Sequence, residues 1–234
     1  MLPAMSTSRQ RALEPAAPRP RPKGRTVRLV DQSGRPLGPR AVATRRRLLE
    51  ATEALLDERR VREVSVAEIA RRAGTSPATF YQYFRDVEEA TLELARVAAD
   101  RVHEAIQPLA SDWPGARGLD AARALVEVFL RRWDEHRAVL LFANVAAEQG
   151  DRRFRKVRTQ AMHPLIDALA ARIAASRAPG DGLHPVAAAA ALGAILERLA
   201  AYHEELEVLG VSRTDLVETV ARMLYATVTG REAP

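Results

Sequence analysis

A chain of 234 residues, 47% hydrophobic and 28% charged, has the material for one small and one larger folded unit with a sizeable core. It contains no cysteine, which excludes a disulfide framework, a thiolate zinc site and a cysteine nucleophile and makes the cytoplasm the simplest compartment. No uninterrupted apolar run approaches the roughly 18 residues of a spanning helix, and the N-terminus lacks the apolar stretch of a signal peptide, so the expectation is a soluble protein with no membrane partner.

The formal charge of +6 is unevenly spread. Residues 1–40 carry nine Lys/Arg against Glu14 and Asp31, residues 41–86 nine Arg against seven acids, and residues 87–234 18 Lys/Arg against 21 acids. Positive charge at one end and a slightly acidic body suggest an N-terminal part that faces phosphates and a C-terminal part with another task. Residues 1–24 hold five of the 14 prolines and few large apolar groups, so residues 1–39 read as a basic arm, disordered or extended when free. Thr26 to Val30 followed by Asp31-Gln32-Ser33-Gly34 reads as a short strand and turn, or as plain loop, since a single strand has no evident partner.

A first helix is expected from about Arg40 to Arg59, with Leu48, Leu49, Thr52, Leu55 and Leu56 as its buried stripe. Ser65 and Glu68 have capping-box spacing, so a second helix starts near Val66 and buries Val66, Ile69, Ala70 and Ala73. Gly74 closes it in the left-handed conformation. Ser76 is the N-cap and Pro77 the first residue of a third helix that buries Phe80 and Phe84 and leaves Pro77, Ala78, Thr79, Tyr81 and Gln82 outward. Two short helices on a glycine turn, packed by a longer one, form a helix-turn-helix over residues 40–86, with the third helix as groove reader. Ser76, Thr79 and Tyr81 can donate to phosphates, Gln82 can pair with an adenine edge, and Pro77 and Ala78 suit thymine methyls. Tyr81 reads alternatively as a ring partly buried against the first helix. Thr44 and Arg45 to Arg47 can hold the DNA backbone, or be a solvated basic face. The basic arm reads either as a minor-groove contact or as a solvated tail.

The run Ala73-Gly74-Thr75-Ser76-Pro77-Ala78-Thr79-Phe80-Tyr81-Gln82-Tyr83-Phe84 resembles the signature of the TetR (tetracycline repressor) family of bacterial regulators. Thr44-Arg45 followed by Leu48, Leu49, Ala51 and Leu55 is similar to that family's first helix. The motif-level resemblance spans residues 44 to about 95. It departs at Val87, where the family usually has a lysine phosphate contact; Arg85 is the nearest substitute. The resemblance implies an all-α protein with an N-terminal three-helix helix-turn-helix domain and a six-helix ligand-binding and dimerisation domain, acting as a homodimer on double-stranded DNA.

Beyond Phe84 the pattern is wholly helical. A fourth helix from about Val87 to Ala110 buries Leu94, Val97, Ile106 and Leu109. A fifth runs from about Leu119 to Trp133, a sixth from His136 to Glu148, and a seventh from Asp151 to Ser176, which Pro164 should kink or split. After the loop Ala178 to Gly182 come two long helices, about Pro185–Leu209 and Ser212–Thr229. Their stripes, including Leu192, Ile195, Leu199, Leu216, Val220, Met223 and Leu224, read either as intra-subunit packing or as a dimer face, with Ala187 to Ala191 and Gly193 permitting close approach. Phe129, Trp133, Phe142, Phe154, Met162 and Tyr202, with polar points at Asn144, Gln149 and Gln160, read as ordinary core or as the lining of an effector cavity. Asp100-x-x-His103 lacks the second Glu-x-x-His of a di-iron site, and no nucleophile elbow or phosphate-binding glycine loop occurs, so neither a metal, a cofactor nor an enzymatic activity is expected. The reading is a regulator, with repression favoured, released from a palindromic operator by a small apolar or amphipathic effector. The alternatives are an effector-independent architectural or accessory DNA-binding protein and a helical enzyme with an incidental head.

Overall fold

The computed structural model describes residues 29–100 and 106–234. Within them lie nine α-helices: α1 (Pro39–Glu58), α2 (Val66–Arg72), α3 (Pro77–Tyr83), α4 (Val87–Asp100), α5 (Gly115–Glu135), α6 (Arg137–Glu148), α7 (Arg152–Ser176), α8 (Pro185–Glu207) and α9 (Arg213–Thr229). No strand forms among the described residues; of the segment read as a short strand and turn or as plain loop, Thr26 to Arg28 lie outside the described residues and the rest makes one antiparallel bridge between Val30 and Pro36. Residues 1–28, with most of the basic arm, and residues 101–105, with His103, lie outside the described residues.

The head helices begin and end where their side chains dictate. Ser65 Oγ accepts from the Glu68 amide at 3.3 Å, and Glu68 Oε2 accepts from the Ser65 amide at 3.1 Å. The Ser65 hydroxyl, then the Arg59 guanidinium, hold the Glu68 carboxyl down at about 2. Gly74 has φ +65°, a backbone angle that a side chain would strain, and lets the chain leave α2 directly into α3. Ser76 Oγ accepts from the Thr79 amide at 3.2 Å, and Pro77 opens α3. At Val87 the start of α4 is capped by Asp86, whose carboxylate accepts from the Glu89 amide at 2.7 Å.

Two apolar clusters form. One joins α5, α7, α8 and α9 through Trp113, Leu125, Phe129, Leu165, Leu169, Leu192, Leu196, Leu224 and Tyr225. The other contains the head residues Leu48, Leu55, Ile69, Phe80 and Phe84 and runs on through α4 into Val139, Ala143, Phe154 and Val157 of α6 and α7. The head is therefore packed continuously with α4 and α6, and α1 touches α6 directly. His136 Nδ1 and Glu53 Oε1 meet at 2.6 Å across this junction.

Several sequence expectations are corrected. Val97 is exposed, because α4 turns this position away from both clusters. Helix α5 starts at Gly115, ahead of Leu119, since Gly118 must lie against the Trp113 backbone; a Cβ there would sit 2.5 Å from the Trp113 carbonyl carbon. Pro164 does not split α7. The backbone break falls in α8, at Tyr202 (φ −131°, ψ 16°). Pro185–Leu206 of α8 is long and apolar enough to cross a membrane by composition, with a mean hydropathy of 1.3, but it carries Glu197 and Arg198 and packs on α7 and α5.

Candidate DNA interface and interior cavity

Helix α3 is held from beneath by Phe80 and Phe84, both fully buried, with ring centroids 5.4 Å apart. With the aromatic positions facing inward, Ser76, Pro77, Ala78, Tyr81 and Gln82 are exposed and Thr79 is half-buried. Tyr81 meets Phe80 edge-on and is 54% exposed. The hydroxyls of Ser76 and Thr79 are 3.0 Å apart and serve the helix start. Arg85 is exposed and pairs with Glu89 at 3.2 Å.

Two α1 residues stand differently from the expectation. Arg45 is turned inward: its guanidinium bonds Glu93 of α4 at 3.0 Å, lies 5.1 Å from the Phe84 ring centroid, and its side chain is 13% exposed. It braces α1 against α4. Thr44 donates to the Arg40 carbonyl at 3.1 Å and accepts from Arg47, which is exposed.

The body contains a cavity of about 80 Å³ lined by Ala95, Ala98 and Ala99 of α4, Phe129, Arg132 and Trp133 of α5, Leu140, Ala143 and Asn144 of α6, Val157, Arg158, Ala161 and Met162 of α7 and Glu197 of α8. Of the aromatic and polar residues expected there, Phe129, Trp133, Met162 and Asn144 are in the wall. Phe142 and Phe154 are not; they pack edge-to-face at 5.4 Å on the head side and border a surface cleft between the end of α1 and α6. Tyr202 is absent from the wall as well, with its ring under the Arg198 guanidinium at 3.9 Å. Arg158 and Glu197 escaped the sequence reading. Glu197, 8% exposed, accepts from Arg158 Nε at 2.8 Å, from the outer Arg158 nitrogen at 2.6 Å and from Asn144 at 3.2 Å. The two residues lie 39 positions apart in sequence, and nothing local marks the pair. The Trp133 Nε1–H is buried without a hydrogen-bond partner.

The stripes read as a dimer face are corrected in part. Leu192, Leu216, Val220 and Leu224 are buried in their own subunit, Ile195 and Leu199 are half-buried, and Met223 is 48% exposed. Gly193 faces Met162 of α7, so its missing side chain serves an intra-subunit approach. Outward residues include Val186, Ala187, Ala190, Ala191, Ala194 and Arg198 on α8, followed by Glu204 and Glu205, and Arg213, Thr214, Asp215, Thr219, Arg222, Met223 and Ala226 on α9. No group of three or more metal-ligating side chains occurs among the described residues.

Residues 107–234 match the family described as tetracyclin repressor-like, C-terminal domain, and residues 48–89 match bacterial regulatory proteins, tetR family. The HTH-type transcriptional regulator EthR of Mycobacterium tuberculosis is 32% identical over 92 residues, 39% of this chain and 43% of that protein, so the chain spans less than half the length of this relative. EthR of Mycolicibacterium smegmatis is 28% identical over 214 residues, 89% of this chain and 93% of that protein. A solved tetR-family transcriptional regulator from Streptomyces coelicolor superposes with a TM-score of 0.63 at 16% identity, over 82% of each chain, a likeness of fold. With more than half of its length inside one family match and most of its head inside the other, the chain belongs to the TetR family of bacterial regulatory proteins.

Proposed function

We propose that the protein is a homodimeric transcriptional repressor that reads a palindromic DNA operator through α3 and is released by a small apolar or amphipathic effector entering the cavity. The carrying observation is that one helix serves both places. Helix α4 lends Ala95, Ala98 and Ala99 to the cavity wall, while its first turn is tied to the end of α3 through Glu89 and Arg85. Burial alone would raise the Glu89 carboxyl, but the Arg85 amide and guanidinium and the Gln32 amide outweigh it and hold the carboxylate charged.

At about 80 Å³ the cavity is well below the roughly 300 Å³ at which drug-sized sites begin, so an effector must push its walls apart. Three of those walls are alanines on α4, and moving them moves α3. The buried Trp133 N–H, without a protein partner, is a donor for an acceptor atom of the ligand, in a chamber whose polar wall groups are Arg132, Asn144, Arg158 and Glu197. Gln82 and Tyr81 supply polar groups to base edges and phosphates, with Pro77 and Ala78 beside them. The two-fold contact is made by the outward alanines of α8 with Met223 and Ala226 of α9, where small side chains allow close approach. Two copies are needed because one seven-residue helix offers few contacts, and half-sites about one DNA turn apart match a two-fold protein.

The test is to find compounds that raise the melting temperature of the protein and to measure affinity for its selected DNA site with and without them. Release requires that the ligand prefer one state over the other, so a stabilising compound should weaken DNA binding by at least several-fold. A compound that occupies the cavity and leaves DNA affinity unchanged refutes effector release.

A further inference from the structure

The charged groups in the chamber wall are spoken for within the protein. Arg158 Nε and the outer Arg158 nitrogen donate to the two carboxylate oxygens of Glu197 at 2.8 and 2.6 Å, the paired geometry in which a guanidinium matches a carboxylate best. The Asn144 amide adds a third bond to Glu197 at 3.2 Å. Arg132 is engaged by the protein as well.

Trp133 is different. It is 6% exposed, lies in the same wall, and its Nε1–H meets no acceptor in the protein. Trp113, the other tryptophan, donates its Nε1–H to the Pro108 carbonyl at 2.9 Å, so the chain can satisfy an indole from within. The Trp133 ring is held in the core of α5, α7, α8 and α9, with the Phe129 ring 6.5 Å away and inclined by only 25°. It is therefore not free to turn its N–H to solvent. An indole nitrogen donates and cannot accept, and a buried donor without an acceptor weighs against the folded state. An acceptor that enters the chamber relieves that cost.

An ion would be badly served by this wall. A carboxylate would lie beside Glu197 and have to draw a guanidinium away from its present partner. An ammonium or amidinium would meet Arg158 and bring no acceptor to Trp133. Either would leave water for a chamber walled otherwise by groups such as Ala95, Ala98, Leu140, Val157 and Met162. A plain hydrocarbon escapes that cost but leaves the indole as it was.

We propose that the chamber selects an uncharged, largely apolar ligand with a carbonyl-type acceptor, the oxygen of a ketone, ester or amide, which takes the Trp133 hydrogen bond. The inference rests on the reading of the chamber as the effector site and narrows the class of molecule it admits. The Arg158–Glu197 pair then works for selectivity: with its charges matched to each other, it rejects ions of either sign.

The experiment titrates the full chain and Trp133→Phe with probes of nearly one size and outline: acetophenone; α-methylstyrene, in which a methylene group replaces the carbonyl oxygen; benzoate; and benzamidinium. Affinity is read by calorimetry, and the two indole N–H resonances are followed by nitrogen-edited NMR. Acetophenone should bind several-fold more tightly than α-methylstyrene, and that preference should fall by about tenfold in Trp133→Phe, the worth of one hydrogen bond to a buried donor. Acetophenone should also move the Trp133 resonance further downfield than its isostere does, while Trp113, already bonded to Pro108, stays in place. The two ions should bind about tenfold more weakly than acetophenone, or less. The comparison of isosteres needs no substitution, so it decides the matter even where Trp133→Phe does not fold. Equal binding of the two neutral probes, or the same resonance position with both, overturns the acceptor. Tighter binding of either ion overturns the neutral class, and no binding by any of the four at aqueous saturation overturns the proposal whole. Affinity for the selected DNA site, measured with the same probes, separates this class from effector release. Acceptor preference with DNA binding unmoved keeps the class and removes release; equal release by both neutral probes keeps release and removes the class.

Discussion

Arg158→Met probes how the cavity wall is held together. Glu197 has a side chain only 10% exposed and accepts three hydrogen bonds, two of them from Arg158. Methionine keeps most of the arginine stem but leaves a buried carboxylate with the Asn144 amide alone. Breaking a buried pair this way costs roughly 3–5 kcal/mol. Because the Arg158 side chain is itself 42% exposed, water can reach the orphaned charge, which places the expected loss near the low end, about 3 kcal/mol. For a chain of this size that lowers the melting temperature by about 6–12 °C. The assay is urea and thermal unfolding at fixed protein concentration for the wild type, Arg158→Met, Glu197→Met and the double variant. The double variant should recover most of the loss, since removing both charges removes the stranded one. A loss under about 0.5 kcal/mol for Arg158→Met, or a double variant no more stable than either single one, refutes the reasoning.

Gly118→Ala places a methyl 2.5 Å from the Trp113 carbonyl carbon and oxygen, backbone atoms that cannot swing aside, and should cost about 1–3 kcal/mol by thermal unfolding. Gln82→Ala should leave the melting temperature unchanged and relax preference at one base-pair position of the selected site by about 1–3 kcal/mol, read by competition binding. Glu68→Gln tests the capping box: the depressed carboxyl contributes stability above its ordinary value of 4.5 that is lost as pH falls toward about 2. The variant should melt lower than the wild type at pH 7, with the gap closing across that window. Met223→Glu should give monomers in analytical ultracentrifugation with the fold intact by circular dichroism, because this side chain is 48% exposed on one subunit.

The head was legible because its signals are local. Ser65 with Glu68, Gly74, and Ser76 with Pro77 each set a helix boundary within a few residues of themselves, and the structure follows all three. The brace made by Arg45 was not legible, since its partners Phe84 and Glu93 lie far along the chain and an arginine on a basic helix reads as a surface group. The same holds for Gln32, which reaches across 51 residues to Tyr83.

In the body, apolar spacing located the helices but not the uses of their faces. Helix α8 is apolar on most sides of its first half, so its leucine stripe marked the inward face, and the outward face there is Val186 with Ala187, Ala190, Ala191 and Ala194, giving way to Arg198, Glu204 and Glu205. The cavity followed a similar logic. Large aromatics read from sequence either as ordinary core or as cavity lining; Phe142 and Phe154 fill space against each other, and the chamber opens where Ala95, Ala98, Ala99, Ala143 and Ala161 leave space unfilled. Pro164 shows that a breaker in sequence need not break a helix, while the actual break at Tyr202 has neither proline nor glycine to announce it.

The most direct measurement is selection of sites from a random-sequence duplex pool by the purified full chain at near-physiological salt, followed by sequencing. A DNA-reading dimer built on α3 should enrich a palindrome whose half-sites are centred about one helical turn apart, and Gln82→Ala should alter the preference inside the half-site. Binding that vanishes with added salt and enriches no sequence would contradict it, leaving the basic arm as the main contact and an architectural role in place of a specific regulator.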